Sequence, residues 1–414
     1  MSTPRILGAL LAAGVVAASV PSWAQVKIAY IDPLSGAMGA TGERGLHEYQ
    51  FAAEQVNARG GVLGQKIEII GMDNKLSAQE SLILLKSAID QGVRYIAQGN
   101  GSSVAGALID ALNKHNERNP DKTVVFLNYA AVDPDFTNDK CSFWHFRFDA
   151  NTDMKMEALT NYMKGEKKVQ KVYLLNQDYS HGHQVSKVAR AMLEAKRPDV
   201  KIVGDELHPL ARVKDFAPYV AKIQASGADS VITGNWGGDL ALLVKAAKDA
   251  GLKVDFYTYY AGTVGVPSAM GDSGVDHVKV VGTWNANSAP ASMFPMLDAF
   301  RKTYGASIDP YSQTIRNSVN LLAKAMNAAK STDPVKVAKA MEGMTLEGPF
   351  GDVTMRADDH QMIQPLFITT FVRSVPGKYK YNAEGTPEFA FRVDTRYEGP
   401  DTARPTTCKM QRPA

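Results

Sequence analysis

The chain reads as an α/β protein made of two doubly wound lobes, and three observations carry that reading. Short apolar runs alternate with amphipathic stretches of helical period along most of its length, the pattern of βαβ units and parallel sheets. The alternation runs twice, with a break near Phe146–Asp149. Glycine- and hydroxyl-rich loops fall where strands should end: Pro33–Gly42, Gly99–Ser103 and Asn128–Asp133 in the first run, Asn176–Gly182, Gly234–Asp239 and Tyr259–Gly265 in the second. In open parallel sheets ligands bind beyond the carboxyl ends of the strands, so two such loop sets facing one another describe a cleft. A length of 414 residues also calls for two cores.

In order, Val26–Ile31 is a strand, Asp32–Gly42 a turn and Glu43–Arg59 a helix stopped by Gly60-Gly61. Lys66–Gly71 is the next strand and Ala78–Gln91 its helix. Val93–Ala97 is a short apolar run that reads as a buried strand, and it turns through Gln98–Gly101. A helix starts at Ser102-Ser103, with Val104, Ala107, Leu108, Ala111 and Leu112 at helical spacing. Those serines either cap the helix or offer hydroxyls and free N–H groups to a ligand anion. Thr123–Leu127 is a strand followed by the loop Asn128–Asn138.

The second run opens with the strand Lys171–Leu175, the turn Asn176–Gly182 and the helix Val185–Ala195. Strands follow at Lys201–Glu206, Ser230–Thr233, Asp255–Tyr260 and Lys279–Thr283, with helices Asp215–Ser226 and Asp239–Ala250 between them. Helices at Met296–Tyr304, Ser312–Lys330 and Pro334–Met341 come next, then extended segments Phe350–Met355 and Pro365–Val372 and a polar, Pro-rich tail. The two runs share an architecture and not a sequence repeat.

The N-terminus has the form of a secretory signal peptide over residues 1–24: Arg5, the apolar Ile6–Val20, and Ser22-Trp23-Ala24 before Gln25. No later run is long enough to cross a bilayer, and no Cys follows the cleavage site to take a lipid. Export into the periplasm in soluble form is therefore expected. Cys141 and Cys408 read as one disulfide tying the tail to the middle of the chain. A net charge of +3 without basic runs gives no case for nucleic acid.

No catalytic or cofactor motif stands out. Gly36, Gly39 and Gly42 do not form the dinucleotide fingerprint, and neither a P-loop lysine nor a nucleophile elbow is present. His181 and His183 lack a third ligand nearby and read as loop histidines; Asp358-Asp359-His360 reads as an exposed turn. No metal, cofactor or enzymatic activity is expected. The aromatics at strand ends, Tyr129, Tyr179, Trp236, Tyr259, Tyr260 and Trp284, would form an amphipathic pocket if their loops converge.

Taken together, Pro33–Gly36, Gln55–Gly64 (QVNARGGVLG), Gly99–Ser103, Asp178–Gly182 (DYSHG), Asp215–Asp229, Gly237–Gly251 and Asp359–Ile368 resemble, in order and spacing, the periplasmic solute-binding proteins of branched-chain amino acid ABC importers. The resemblance spans Val26 to about Val372 and implies two Rossmann-like lobes joined by a three-segment hinge. The lobes would comprise residues 25–147 plus 283–355 and 148–282 plus 356–414. It implies that Ser102, Ser103 and the loop carrying Tyr129, Ala130 and Ala131 hold a ligand carboxylate, with Ser35 from the first loop. Val132 stands where the family usually has a threonine, leaving the Ala131 N–H as a substitute anchor. Tyr179, Asn235, Trp236 and Tyr260 would face the ligand from the second lobe. Asp239 would either meet an α-ammonium or cap its helix. The implied partners are an apolar amino acid, or an aromatic or branched carboxylate lacking an amine, and a membrane permease, with the protein a monomer. A sensor with the same lobes is the alternative use.

Overall fold

The computed structural model describes residues 25–305 and 312–413; the export segment expected over residues 1–24 lies outside the described residues. The first sheet contains β1 (Val26–Asp32), β2 (Ile67–Asp73), β3 (Tyr95–Gln98), β4 (Val125–Asn128) and β5 (His145–Arg147). All are parallel, in the order β2-β1-β3-β4-β5. The helices α1 (Gly39–Ala58), α2 (Ala78–Asp90) and α3 (Ser102–Arg118) connect them. The second sheet repeats the topology. Its strands β6 (Lys171–Gln177), β7 (Lys201–His208), β8 (Ser230–Thr233), β9 (Asp255–Thr258) and β10 (Val278–Gly282) run in the order β7-β6-β8-β9-β10. Both sheets thus have their switch point beside the first strand of the run, where ligand crevices form.

Four helices accompany the second sheet after α4 (Thr152–Met163): α5 (Ser180–Lys196), α6 (Ala217–Ser226), α7 (Gly237–Asp249) and α8 (Val266–Met270). Beyond β10 come α9 (Phe294–Tyr304), α10 (Ser312–Ala329) and α11 (Pro334–Met341). A small antiparallel sheet follows, of β11 (Thr345–Gly348), β12 (Gly351–Met355) and β13 (Met362–Ile363). The strands β14 (Leu366–Arg373) and β15 (Phe389–Tyr397) then extend the second sheet antiparallel at its β10 edge, before the short α12 (Gly399–Thr402). The helix α10 returns to the first lobe, where the Tyr49 hydroxyl lies 2.8 Å from Ser318 Oγ. Phe51 of α1 packs edge-on against Phe300 of α9.

Four differences from the sequence reading have physical causes. The helix α4 lacks a visible apolar stripe because it is buried on most sides, with Met154, Lys155, Met156, Leu159, Thr160 and Met163 all enclosed. The polar tail contains β15, whose Phe389, Phe391 and Val393 recur at every second position, with the charged Arg392 and Asp394 flanking Val393, in the period of a strand. Asp359 and His360 are buried, not exposed: Asp359 pairs with Arg356, and the His360 ring stacks on Phe146 at 3.9 Å. Finally, α1 and α5 start several residues earlier than the apolar spacing suggests, because Gly42 and Gly182 lie inside their first turns. A Cβ at either would fall 1.8 Å from the carbonyl oxygen of Pro33 or Gln177, so both helices seat on the preceding strand end only through glycine.

Where the chain passes between the sheets, β5 meets the segment after β12. The Arg147 guanidinium is fully buried there, donating Nε to Gln361 Oε1 at 2.7 Å and its other nitrogens to Asp133 O and Thr137 Oγ1. The Gln361 and Gln364 amides donate back to the carbonyls of Asp149 and Phe148. Cys141 and Cys408 are joined in a disulfide. The tail reaches it after Arg404 pairs with Glu157 of α4 and Thr406 donates to the Thr137 carbonyl.

Candidate ligand-binding site

The first wall of the site is set by a buried carboxylate. Asp32 ends β1 and accepts the backbone N–H of Gly99 at 3.0 Å and of Asn100 at 2.9 Å, along with the Tyr129 hydroxyl at 2.8 Å. Burial pushes its carboxyl pKa up to about 7, against the pull of those hydrogen bonds. The loop it fixes is compact. A Cβ on Gly99 would sit 2.6 Å from the Tyr129 ring, and Gly101 has φ +93°, a region in which a side chain would be strained. Gly101 occupies the N-cap of α3, and no side chain caps the helix, which leaves its first N–H groups without a side-chain partner where Gly101 and Ser102 line the pocket.

The next loop is held by Asn128. Its Oδ1 accepts the N–H of Ala130 and, at 2.8 Å, that of Ala131, so the Ala131 N–H is spent on the turn and cannot serve as the substitute anchor.

Three aromatic rings form the opposing wall. Tyr179 and Trp236 stand at the N-caps of α5 and α7, and Tyr260 follows β9. Trp236 Nε1 donates to the Tyr179 hydroxyl at 2.9 Å, fixing the two rings relative to each other. Lys155 Nζ lies 4.8 Å from the centre of the Tyr260 ring and 2.6 Å from Asp149 Oδ2; both charged side chains are about 3% exposed. Burial pulls the Lys155 ammonium down and the Asp149 carboxyl up, each against the attraction of the other. His181, read as a loop histidine, is buried in the first turn of α5, and its Nδ1 lies 3.0 Å from Thr152 Oγ1.

The two walls are nearly closed on each other, with about 10 Å³ of cavity left between them. Gly99, Asn100, Gly101, Ser102 and Ala130–Val132 line it from the first lobe, and Tyr179, Trp236 and Tyr260 from the second. The lobes are in contact around it. Ser180 Oγ donates to Asp133 Oδ2, and Gly237 (φ +57°) approaches Met38 so closely that a Cβ would sit 2.5 Å from its Sδ.

The other expected site residues lie elsewhere. Ser103 is exposed, one position round the helix from the buried Ser102. Ser35 is exposed and donates to Asp73 Oδ2 at 2.5 Å. Tyr129 lies behind Gly99, in the network with Asp32 and the Tyr30 hydroxyl. Asn235 is buried with its amide nitrogen 2.8 Å from His208 Nε2. Asp239 is the third residue of α7, and so not its cap. It accepts the Gln177 amide and the Ala211 N–H, both at 2.8 Å, tying two strand-end loops together. Trp284 lines a separate cavity of about 80 Å³ between α9 and the β10–β14–β15 edge, which takes no strand-end loop from the first lobe.

Asn100, Asp32 and Lys155 are not among the site residues that the sequence points to. Asp32 had a visible signal, a charged residue closing an apolar strand. Lys155 had none, because its helix was unseen.

Residues 25–375 match the sequence model of the periplasmic binding protein family, which is most of the chain. The chain belongs to that family. Its members are solute-binding proteins, not enzymes. A curated relative, the Leu/Ile/Val-binding protein homolog 4 of Brucella abortus, is 32% identical over 414 residues, covering 98% of this chain and 96% of the relative. The solved leucine-, isoleucine-, valine-, threonine- and alanine-binding protein of Brucella ovis, in its closed conformation, is 31% identical with a TM-score of 0.84, covering 94% of this chain and all of that one. A solute-binding protein of Rhodopseudomonas palustris BisB5 in complex with 3,4-dihydroxybenzoic acid shares the fold at 19% identity, with a TM-score of 0.77 over 91% of this chain and 98% of that one. Among the described residues no helix is long and apolar enough to cross a membrane.

Proposed function

We propose that this chain is the solute-binding component of an ABC importer, taking a small monocarboxylate with an apolar body between its lobes and presenting it to a membrane permease. The observation that supports this most is the division of labour across the pocket. The first lobe offers a buried hydroxyl, Ser102, and the uncapped start of α3, which suit an anion. The second lobe offers three rings, which suit an apolar body. A ligand spanning both walls binds the closed arrangement better than an open one, and that difference is what shifts the population towards closure. We take the lobes as residues 25–147 plus 283–355 and 148–282 plus 356–414, in keeping with α10 packing on α1 and with β14 and β15 extending the second sheet.

The ligand class we favour is an apolar α-amino acid, in line with the names of the relatives at about a third identity. A carboxylate without an amine is the second reading. It is favoured by Asp239, whose carboxylate is bonded to Gln177 and Ala211, and by a pocket lining without an acidic side chain.

The test is the thermal unfolding midpoint of residues 25–414 against leucine, isoleucine, valine, phenylalanine and branched and aromatic acids lacking the amine. A ligand held only by the folded chain adds about 2.7 kcal/mol at a hundred times its dissociation constant. For a chain of this size that raises the midpoint by about 3 °C. A shift with amino acids supports the first reading, a shift only with amine-free acids the second, and no shift with any carboxylate removes both.

A further inference from the structure

Among the described residues, the loop that opens the first wall carries two buried acceptors without a partner, Gln98 Oε1 and Asn100 Oδ1, and of these two residues only Asn100 lines the pocket. Asn100 lines the pocket, is 2% exposed, and has every other polar group engaged. Its N–H donates to Asp32 at 2.9 Å, its carbonyl accepts the Gln98 amide at 2.6 Å, and its Nδ2 donates to the Tyr129 hydroxyl at 2.7 Å. Because Tyr129 is itself bonded to Asp32, the amide plane is fixed from behind. Only Oδ1 is left, buried and without a partner among the described residues. A buried acceptor without a donor is unfavourable, so a rigid one at the wall of a binding pocket marks where a ligand donor belongs.

We propose that Asn100 reads a hydrogen-bond donor on the carbon next to the ligand's carboxylate, so that the pocket selects 2-amino and 2-hydroxy acids. This rests on the reading of the pocket as a carboxylate site. Asn100 lies two residues before Ser102, so when the carboxylate sits at the start of α3, the group within reach of Oδ1 is the neighbouring carbon's substituent. The far end of the ligand faces the rings of the second lobe. The acceptor is a neutral amide and not a carboxylate. It takes an O–H as readily as an N–H, and the site does not demand the full positive charge that a buried acid would. The 2-hydroxy acid should therefore bind within about tenfold of the matching amino acid. The same acid with an unsubstituted or a keto carbon at that position leaves Oδ1 orphaned and should bind about tenfold or more weakly.

The experiment is calorimetric titration of residues 25–414 with two quartets. One is leucine, 2-hydroxy-4-methylpentanoate, 4-methylpentanoate and 4-methyl-2-oxopentanoate; the other is phenylalanine, phenyllactate, 3-phenylpropanoate and phenylpyruvate. Each is run on the wild type, Asn100→Leu and Asn100→Ala. The wild type should prefer the donor-bearing members of a quartet, and both variants should lose that preference to within about threefold. Each preference is a ratio taken within one protein, so a change in overall stability does not enter it. Binding of all four members without preference, or a preference that survives both substitutions, overturns the role of Asn100 and leaves the carboxylate pocket standing. Binding of neither quartet to the wild type removes the carboxylate reading and this inference with it.

Discussion

Asp32 lies beneath the ligand pocket, and replacing it by asparagine isolates the cost of burying its charge. Each carboxylate oxygen takes two donors, Asn100 N and Gln98 Nε2 on one, Gly99 N and the Tyr129 hydroxyl on the other. Burial still outweighs those bonds, and the carboxyl pKa is pushed up to about 7. In the unfolded chain an aspartate titrates near pH 3.9, at about the ordinary value. A folded pKa above the unfolded one means that the folded state holds the proton more tightly. The contribution of Asp32 to stability is therefore complete below about pH 4 and is lost as the pH rises through 7. Between pH 5 and pH 7.5 the loss is on the order of 2–3 kcal/mol. Asp32→Asn has no group titrating there, and the other ionisable residues cancel when the two proteins are subtracted. Urea unfolding of both at the two pH values should show the wild type losing on the order of 2–3 kcal/mol relative to the variant on going to the higher pH. A difference that stays constant, or that grows with pH, refutes the reasoning. It would mean that the four donors hold the ionised carboxylate more firmly than burial opposes it.

Three further outcomes follow from particular contacts. Lys155→Met leaves the Asp149 carboxylate buried and unpaired and should cost about 3–5 kcal/mol in urea unfolding. Adding Asp149→Asn should recover most of that loss, and a double variant as unstable as the single one would contradict the pairing. Gly182→Ala forces a Cβ against the Gln177 carbonyl and should destabilise by about 1–3 kcal/mol, with weaker ligand binding because Tyr179 caps the same helix turn. Cys408→Ser opens a loop of 267 residues' separation and should lower stability by about 3–5 kcal/mol, read as a fall of roughly 4–6 °C in the melting midpoint. Reductant should produce the same fall in the wild type and none in the variant.

The sequence carried the parts of the fold that leave a one-dimensional trace. The runs from β1 to α3 and from β6 to β10, apart from the short α8, were legible because each strand has a short apolar run and each of the longer connecting helices has one apolar face. The helix α4 was not, since being enclosed on most sides erases the periodicity that betrays a helix. The edge strand β15 was hidden for a different reason: arginines and prolines around it gave a polar average, although Phe389, Phe391 and Val393 keep the period of a strand.

The site was legible to a similar extent. Loops at strand ends announce where a pocket lies, but not which side chains turn towards it. Ser102 and Ser103 look alike in the sequence, and a rotation of one residue round α3 buries the first and exposes the second. Asp239 has the chemistry of an ammonium partner, and one of its oxygens, Oδ2, accepts Gln177 and Ala211, two residues brought beside it only by the sheet. Asn100 bears no mark in the sequence, because its Oδ1 is set apart only by the partners that its other polar groups take in the fold.

The most direct test of the central claim is a crystal structure of residues 25–414 with whichever acid of the two quartets binds most tightly. The account predicts the carboxylate at Ser102 and the start of α3, a donor on the next carbon facing Asn100 Oδ1, and the apolar body against Tyr179, Trp236 and Tyr260. A carboxylate held by the second lobe, or a ligand lodged instead in the cavity beside Trp284 and Leu297, would contradict it.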